Sequence, residues 1–341
     1  MTYYDEQFKP FETVDGQVVV ADEAEWGRLS INCAAVNIAN LLIDNPPQYV
    51  VKVPTDIFED VEGPVVDSDG ERLYSCHGCG GLQIMQCNDC DCETVLSDRV
   101  AKKTTTEDLL TRFFKTIDST PHVDYLIVTQ HPESIRENWS LLDETGPRAK
   151  WVGFRRRPNV ILAVPVETQA DIERLVPKLL KCHDLCKGLA VVANPKEELD
   201  FVSVDDGTTL WDFLEGEYEW RNGKECGHCE SLDLIIVEGD EHPVHPDWVR
   251  SLRDQCKDAD VPFNFAGWGD WLPFERGPAP LIEGQNGENI DGHLLPDGIV
   301  DHEPIEGWWW PNGLQETIFR KSGHKLSGRL LDGQEHNGRI S

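Results

Sequence analysis

Two patterns of hydrophobic positions run along this chain. Six short apolar runs, at residues 49–53, 125–128, 160–164, 189–192, 234–237 and 262–265, have the unbroken apolar character of strands buried on both faces. Amphipathic stretches separate most of them. Residues 22–43 read as a helix capped by Asp22, with Trp26, Leu29, Ala34, Ile38 and Leu41 near helical spacing. Residues 106–117 open on a capping-type threonine, and residues 132–142 and 246–258 open on a proline, which suits a first helical turn. Residues 168–181 open on Thr168 and place Ile172, Leu175, Val176, Leu179 and Leu180 on one face. Strands alternating with helices predict a parallel sheet with helical crossovers. The expected fold is therefore α/β, a partial parallel (β/α) barrel or an open doubly wound sheet.

Two long segments interrupt the alternation. Residues 62–103 and 200–231 each follow a predicted strand, so both are expected at the carboxyl end of the sheet, where barrel enzymes carry their sites. The expected organisation is an N-terminal helical segment at 1–47, a barrel-like domain at 48–270 holding both insertions, and an irregular tail at 271–341 packed on it. Trp308, Trp309 and Trp310 are expected to plug that tail onto the domain by burying large apolar area. No G-x-G-x-x-G follows a strand and no G-x-x-x-x-G-K is present, so neither dinucleotide nor P-loop chemistry is indicated.

Charge narrows the function classes. Of 341 residues, 62 are acidic and 31 basic, a net charge of -31. That repels nucleic-acid phosphate and anionic membrane alike, so general nucleic-acid or membrane binding is not expected. The run Arg155-Arg156-Arg157 reads as a solvated loop. No segment approaches the ~18–20 apolar residues of a membrane span. The N-terminus has neither a basic region nor an apolar core of a secretory signal. A cytoplasmic protein with reduced, buried or metal-bound thiols is expected.

The chemistry-bearing feature is the stretch Cys76-His-Gly-Cys79, followed by Cys87-Asn-Asp-Cys90-Asp-Cys92. Paired C-x-x-C turns complete a tetrahedral sulfur site, and Gly78, Gly80 and Gly81 permit the backbone angles such turns need. Cys76, Cys79, Cys87 and Cys90 are the expected ligands of a zinc ion. Cys92, Cys226 and Cys229 are additional candidates, and an iron–sulfur cluster on the same thiolates is the alternative. Cys182 and Cys186 read as buried core thiols.

Residues 242–271 read His-Pro-Val-His-Pro-Asp-Trp-Val-Arg-Ser-Leu-Arg, then Val-Pro-Phe-Asn-Phe-Ala-Gly-Trp-Gly-Asp-Trp. This segment closely resembles the phage-associated three-cysteine-motif family, a largely uncharacterised group similar to radical S-adenosylmethionine enzymes. Collinear likenesses occur at Asp56-Ile-Phe, at Val164-Pro-Val-Glu167-Thr-Gln169 and at Gly328-Arg-Leu-Leu-Asp332-Gly333. The family's N-terminal C-x-x-x-C-x-x-C motif is missing, and Glu238-Gly-Asp240 stands in place of a glycine-rich turn. The resemblance implies a divergent, non-catalytic member, associated with mobile elements and with a companion protein, in which a structural zinc knuckle lies over the barrel mouth. It implies, as the alternative, an enzyme with a [4Fe-4S] cluster and S-adenosylmethionine acting on an unknown substrate. Asp56, Glu167 and His245, at or past strand ends, are the pocket candidates under either reading.

Overall fold

The computed structural model describes residues 6–14, 17–42, 49–59, 65–67, 69–70, 73–75, 82–83, 102–103, 106–143, 155–220, 226–242, 244–274, 282–283, 289–290, 293–294, 300–301, 318–321 and 329–340. Cys76, Cys79, Cys87, Cys90, Cys92 and the Trp308–310 run lie outside these residues.

The chain opens with short strands: β1 (Glu6–Gln7), β2 (Phe11–Val14) and β3 (Gln17–Val20). Helix α1 (Glu23–Leu42) follows. Asp22 caps it as expected, its Oδ1 accepting from the Glu25 N–H at 2.7 Å. Then come β4 (Tyr49–Val53), β5 (Val65–Val66), α2 (Thr106–Ser119), β6 (Val123–Val128) and α3 (Ile135–Asp143). They are followed by β7 (Val160–Val166), α4 (Gln169–Leu179) and β8 (Gly188–Ala193). Four short strands come next: β9 (Val204–Asp205), β10 (Thr209–Asp212), β11 (Glu217–Trp220) and β12 (Cys226–His228). The last major elements are β13 (Leu234–Glu238), α5 (Pro246–Asp258), β14 (Phe263–Gly267), β15 (Leu330–Leu331) and β16 (Gln334–Glu335).

The major sheet has the strand order β1-β4-β6-β7-β8-β13-β14. Its registered neighbours β1/β4, β4/β6, β6/β7, β8/β13 and β13/β14 are all parallel. The order is open, which agrees with a partial parallel barrel in a mixed α/β chain. All six strands read from the apolar runs are present. Strands β7, β8 and β13 are buried along almost their whole length, which explains why their residues are apolar without alternation.

The chain divides into two compact units, residues 3–164 with 181–189, and residues 165–180 with 190–341. In the first, Phe8, Trp26, Phe113, Phe114, Tyr125 and Trp139 form a run of ring contacts. Arg157 corrects the expectation for the arginine run. It is 2% exposed, lies over the Phe114 and Trp139 rings, and pairs with Asp118 at 3.0 Å. Arg155 also reaches Asp118, and Arg156 donates to the Cys186 carbonyl. These arginines hold structure together; the aromatic and carboxylate partners that bury Arg157 are distant in sequence. Cys182 and Cys186 are buried as expected, and burial pushes the Cys182 thiol up to about 11.

In the second unit, α4 begins with a capping box between Thr168 and Asp171. Burial pushes the Asp171 carboxyl up, but hydrogen bonds from Arg174, Thr168 and two backbone N–H groups outweigh it, and the net shift is downward. The insertion after β8 is a four-stranded antiparallel meander, β9-β10-β11-β12. Two glutamines pin its approach. Gln169 exchanges two hydrogen bonds with the Asp200 backbone, and Gln255 donates to the Leu199 carbonyl and accepts from the Phe201 N–H.

Candidate functional site

The three strand-end residues each have a described partner set. Asp56 stands three residues past β4. Its Oδ1 accepts from the Phe58 N–H at 3.2 Å and its Oδ2 from the Gln130 N–H at 2.7 Å. Both oxygens are thus engaged by backbone, joining the loop after β4 to the loop after β6. Glu167 directly follows β7 and pairs with Lys196, each side chain 44% exposed. Backbone bonds from Asn194 to Val166 and from Lys196 to Glu167 bring the two segments together.

His245 caps α5. Its ring is 1% exposed and tilted against Trp248, and its Nδ1 accepts from the Asp247 N–H at 3.2 Å. Asp56 belongs to the first unit, and Glu167 and His245 to the second.

Helix α5 also carries an interlock that spacing alone does not reveal. The β15–β16 hairpin turns at Asp332 and Gly333, which have φ of 55° and 76°. A turn with two consecutive positive φ values suits Asp-Gly. Asp332 Oδ1 accepts from Arg250 at 2.7 and 2.9 Å, and Oδ2 from Arg253 at 2.7 Å. The Arg250 hydrogen bond, with Arg253 beside it, holds the Asp332 carboxyl below its ordinary value against a smaller opposing effect of burial. Leu331 is fully buried, and the Trp268 indole donates to the Leu330 carbonyl at 3.1 Å. Beyond the hairpin the chain pairs antiparallel with β14 through Phe265 to His336 and Gly338 to Phe263. A Cβ at Gly338 would stand 2.5 Å from the Phe263 backbone, so glycine permits this close approach.

A second close approach joins the loops after β13 and β14. The Gly239 N–H donates to the Gly267 carbonyl, and the Asp270 N–H to the Asp240 carbonyl. A Cβ on Gly239 would lie 2.2 Å from the Trp268 backbone, and one on Gly269 2.3 Å from that of Asp240.

Of the candidate metal ligands, Cys226 and Cys229 fall among the described residues. The backbone at Cys226–His228 is extended strand paired with β11. The Cys229 thiol is pushed up by burial, then by the nearby Glu230 and Asp212 carboxylates, which favours thiol over thiolate. Among the described residues, no group of three or more His, Cys, Asp or Glu suited to a metal ion occurs.

The meander and the helices beside it form a groove of about 970 Å³ in the second unit. Glu173, Glu198, Asp200, Asp205, Asp254 and Asp258 are among its lining residues, Asp254 paired with Arg253 at 2.8 Å, and no lysine or arginine is among the described residues that line it. Sequence reading did not find this surface. Its signals were the Asp206-Gly207 and Glu215-Gly216 turns flanking alternating residues at 209–212 and 217–220.

The chain matches the family described as protein of unknown function DUF5131 over residues 87–339. It belongs to that family. The match takes in α2 to α5, the meander and the β15–β16 hairpin. No curated protein and no solved structure matches the chain. No helix among the described residues is long and apolar enough to cross a membrane.

Proposed function

We propose that this DUF5131 protein is a non-catalytic, zinc-stabilised scaffold, a divergent relative of the phage-associated three-cysteine-motif proteins that acts by contact with a companion protein. The observation that carries this reading is the engagement of Asp56, Glu167 and His245. A general acid or base must have an oxygen or nitrogen within reach of substrate. Here both Asp56 oxygens hold backbone N–H groups, Glu167 holds Lys196, and the His245 Nδ1 closes a helix N-terminus. The glycine-to-glycine contact between the β13 and β14 loops adds to this, because it joins backbone to backbone where the related family carries its glycine-rich turn. Zinc would be held by Cys76, Cys79, Cys87 and Cys90, with a structural role.

The test is S-adenosylmethionine cleavage by anaerobically purified, iron-reconstituted and reduced protein. The scaffold reading expects no cleavage above a protein-free control. Multiple turnovers that disappear in Cys76→Ser would overturn it and favour the iron–sulfur enzyme.

A further inference from the structure

The meander turns one face into the second unit and the other to solvent. Thr209, Trp211 and Val204 share the inner face by register, and Thr209 and Val204 are buried. The opposite face carries Asp205, Leu210, Asp212, Glu217, Glu219 and His228. Leu210 is 40% exposed in the middle of it, paired with Glu219 on one side and Asp205 on the other. Asp212 and Glu217 stand opposite each other by register; Asp212 accepts from the Leu214 and Glu215 N–H groups, and Glu217 has His228 3.6 Å away. Asp205 and Asp212 also line the groove, so face and groove are continuous, and Val202, 36% exposed, lies in the groove.

We infer that this sheet face and its adjoining groove dock an extended segment of a partner protein in which arginine or lysine alternates with apolar residues. Two independent features select that occupant. The exposed Leu210 and Val202 call for apolar side chains, which a bare metal ion or polyamine lacks. The surrounding carboxylates, in a chain of net charge -31, select cationic side chains and repel nucleic acid. An extended segment presents both together, since its side chains alternate every ~3.3 Å between two directions. The proposal does not rest on the zinc reading, because every residue it uses lies outside the cysteine cluster.

The experiment measures binding of a fluorescein-labelled decapeptide of alternating arginine and leucine to the full chain by anisotropy. An all-arginine decapeptide and an alternating glutamate–leucine decapeptide serve as comparators. The groove variant Glu173→Gln/Glu198→Gln/Asp258→Asn should weaken the arginine–leucine peptide about tenfold, as expected when facing charges are removed at a contact. The same change of net charge in the other unit, Glu12→Gln/Glu59→Gln/Asp69→Asn, should leave affinity within about twofold, because screened charges act over roughly 8–10 Å. Leu210→Ser should weaken the arginine–leucine peptide and not the all-arginine one. Thermal melts establish that each variant is folded. Equal weakening by the two triple variants, or no binding of the arginine–leucine peptide to the wild-type chain, would overturn the proposal; so would indifference to Leu210→Ser.

Discussion

Two acidic regions of the second unit handle their charge in opposite ways. At the C-terminal hairpin, Asp332 sits between Arg250 and Arg253, and those arginines also meet Asp247 and Asp254. Each carboxylate there has a cation within 3 Å. Across the outer meander face Asp212 and Glu217 stand opposite each other by register, Glu217 has His228 3.6 Å away, and no lysine or arginine is among the described residues that line the groove. The first arrangement closes a structure on itself. The second gathers carboxylates along a groove, sharing Asp254 with the first, which is the charge a surface for a cationic partner requires. The same residue type thus serves the fold in one place and recognition in the other.

The sharpest way to break the hairpin side is Leu331→Ala. Leu331 is fully buried, and truncating such a residue costs about 2–5 kcal/mol. Chemical denaturation should show a loss in that range, while the same truncation at exposed Leu210 should cost under about 0.5 kcal/mol. Next comes Asp332→Ala. The carboxylate is partly exposed, so removing its bonds to two arginines should cost about 1–2 kcal/mol, between a surface pair and a buried charged hydrogen bond.

Acid should act on the same latch. The Asp332 carboxyl is held low in the folded chain by its arginine hydrogen bonds. Its contribution is fully present above the ordinary aspartate value of about 3.9 and is lost as pH falls through the lower folded value. Melting temperature followed downward from pH 5 should therefore fall less steeply in Asp332→Ala than in the wild type. The smallest effect, and the one with opposite sign, belongs to the meander. In a His228→Ala background, which removes the Glu217 partner 3.6 Å away, Glu217→Lys places a cation opposite Asp212 and should stabilise by about 0.2–1 kcal/mol. Destabilisation there would mean that the face is balanced by a contact other than those described.

This contrast was only partly legible in the sequence. The six sheet strands and the helices α1, α2, α4 and α5 followed from apolar runs, periodicity and capping residues, because burial on both faces of a parallel strand leaves a strong signal. The helix expected from residue 132 begins as a short 3-10 turn at Pro132–Ser134 before α3. Strand β1 has two residues, Glu6 and Gln7, and owes its existence to pairing with Val51 and Lys52, which composition does not encode. The meander's strands are short and half-exposed, so their alternation is diluted by Asp, Glu and Gly.

Candidate residues followed the same logic. Asp56 and Glu167 lie just past β4 and β7, while His245 lies seven residues past β13 at the start of α5; their partners, Gln130, Lys196 and Asp247, became visible only in three dimensions. The resemblance segments at 245–253 and 328–333 looked like separate motifs. In the structure they meet: Asp332 binds Arg250 and Arg253.

The most direct test of the scaffold account is elemental analysis and an absorption spectrum of the anaerobically purified chain. The account predicts about one zinc per chain, as for a single tetrahedral thiolate site, with no visible absorption. Iron and sulfide in cluster proportions, with the visible absorption of a cysteine-ligated cluster, would contradict it.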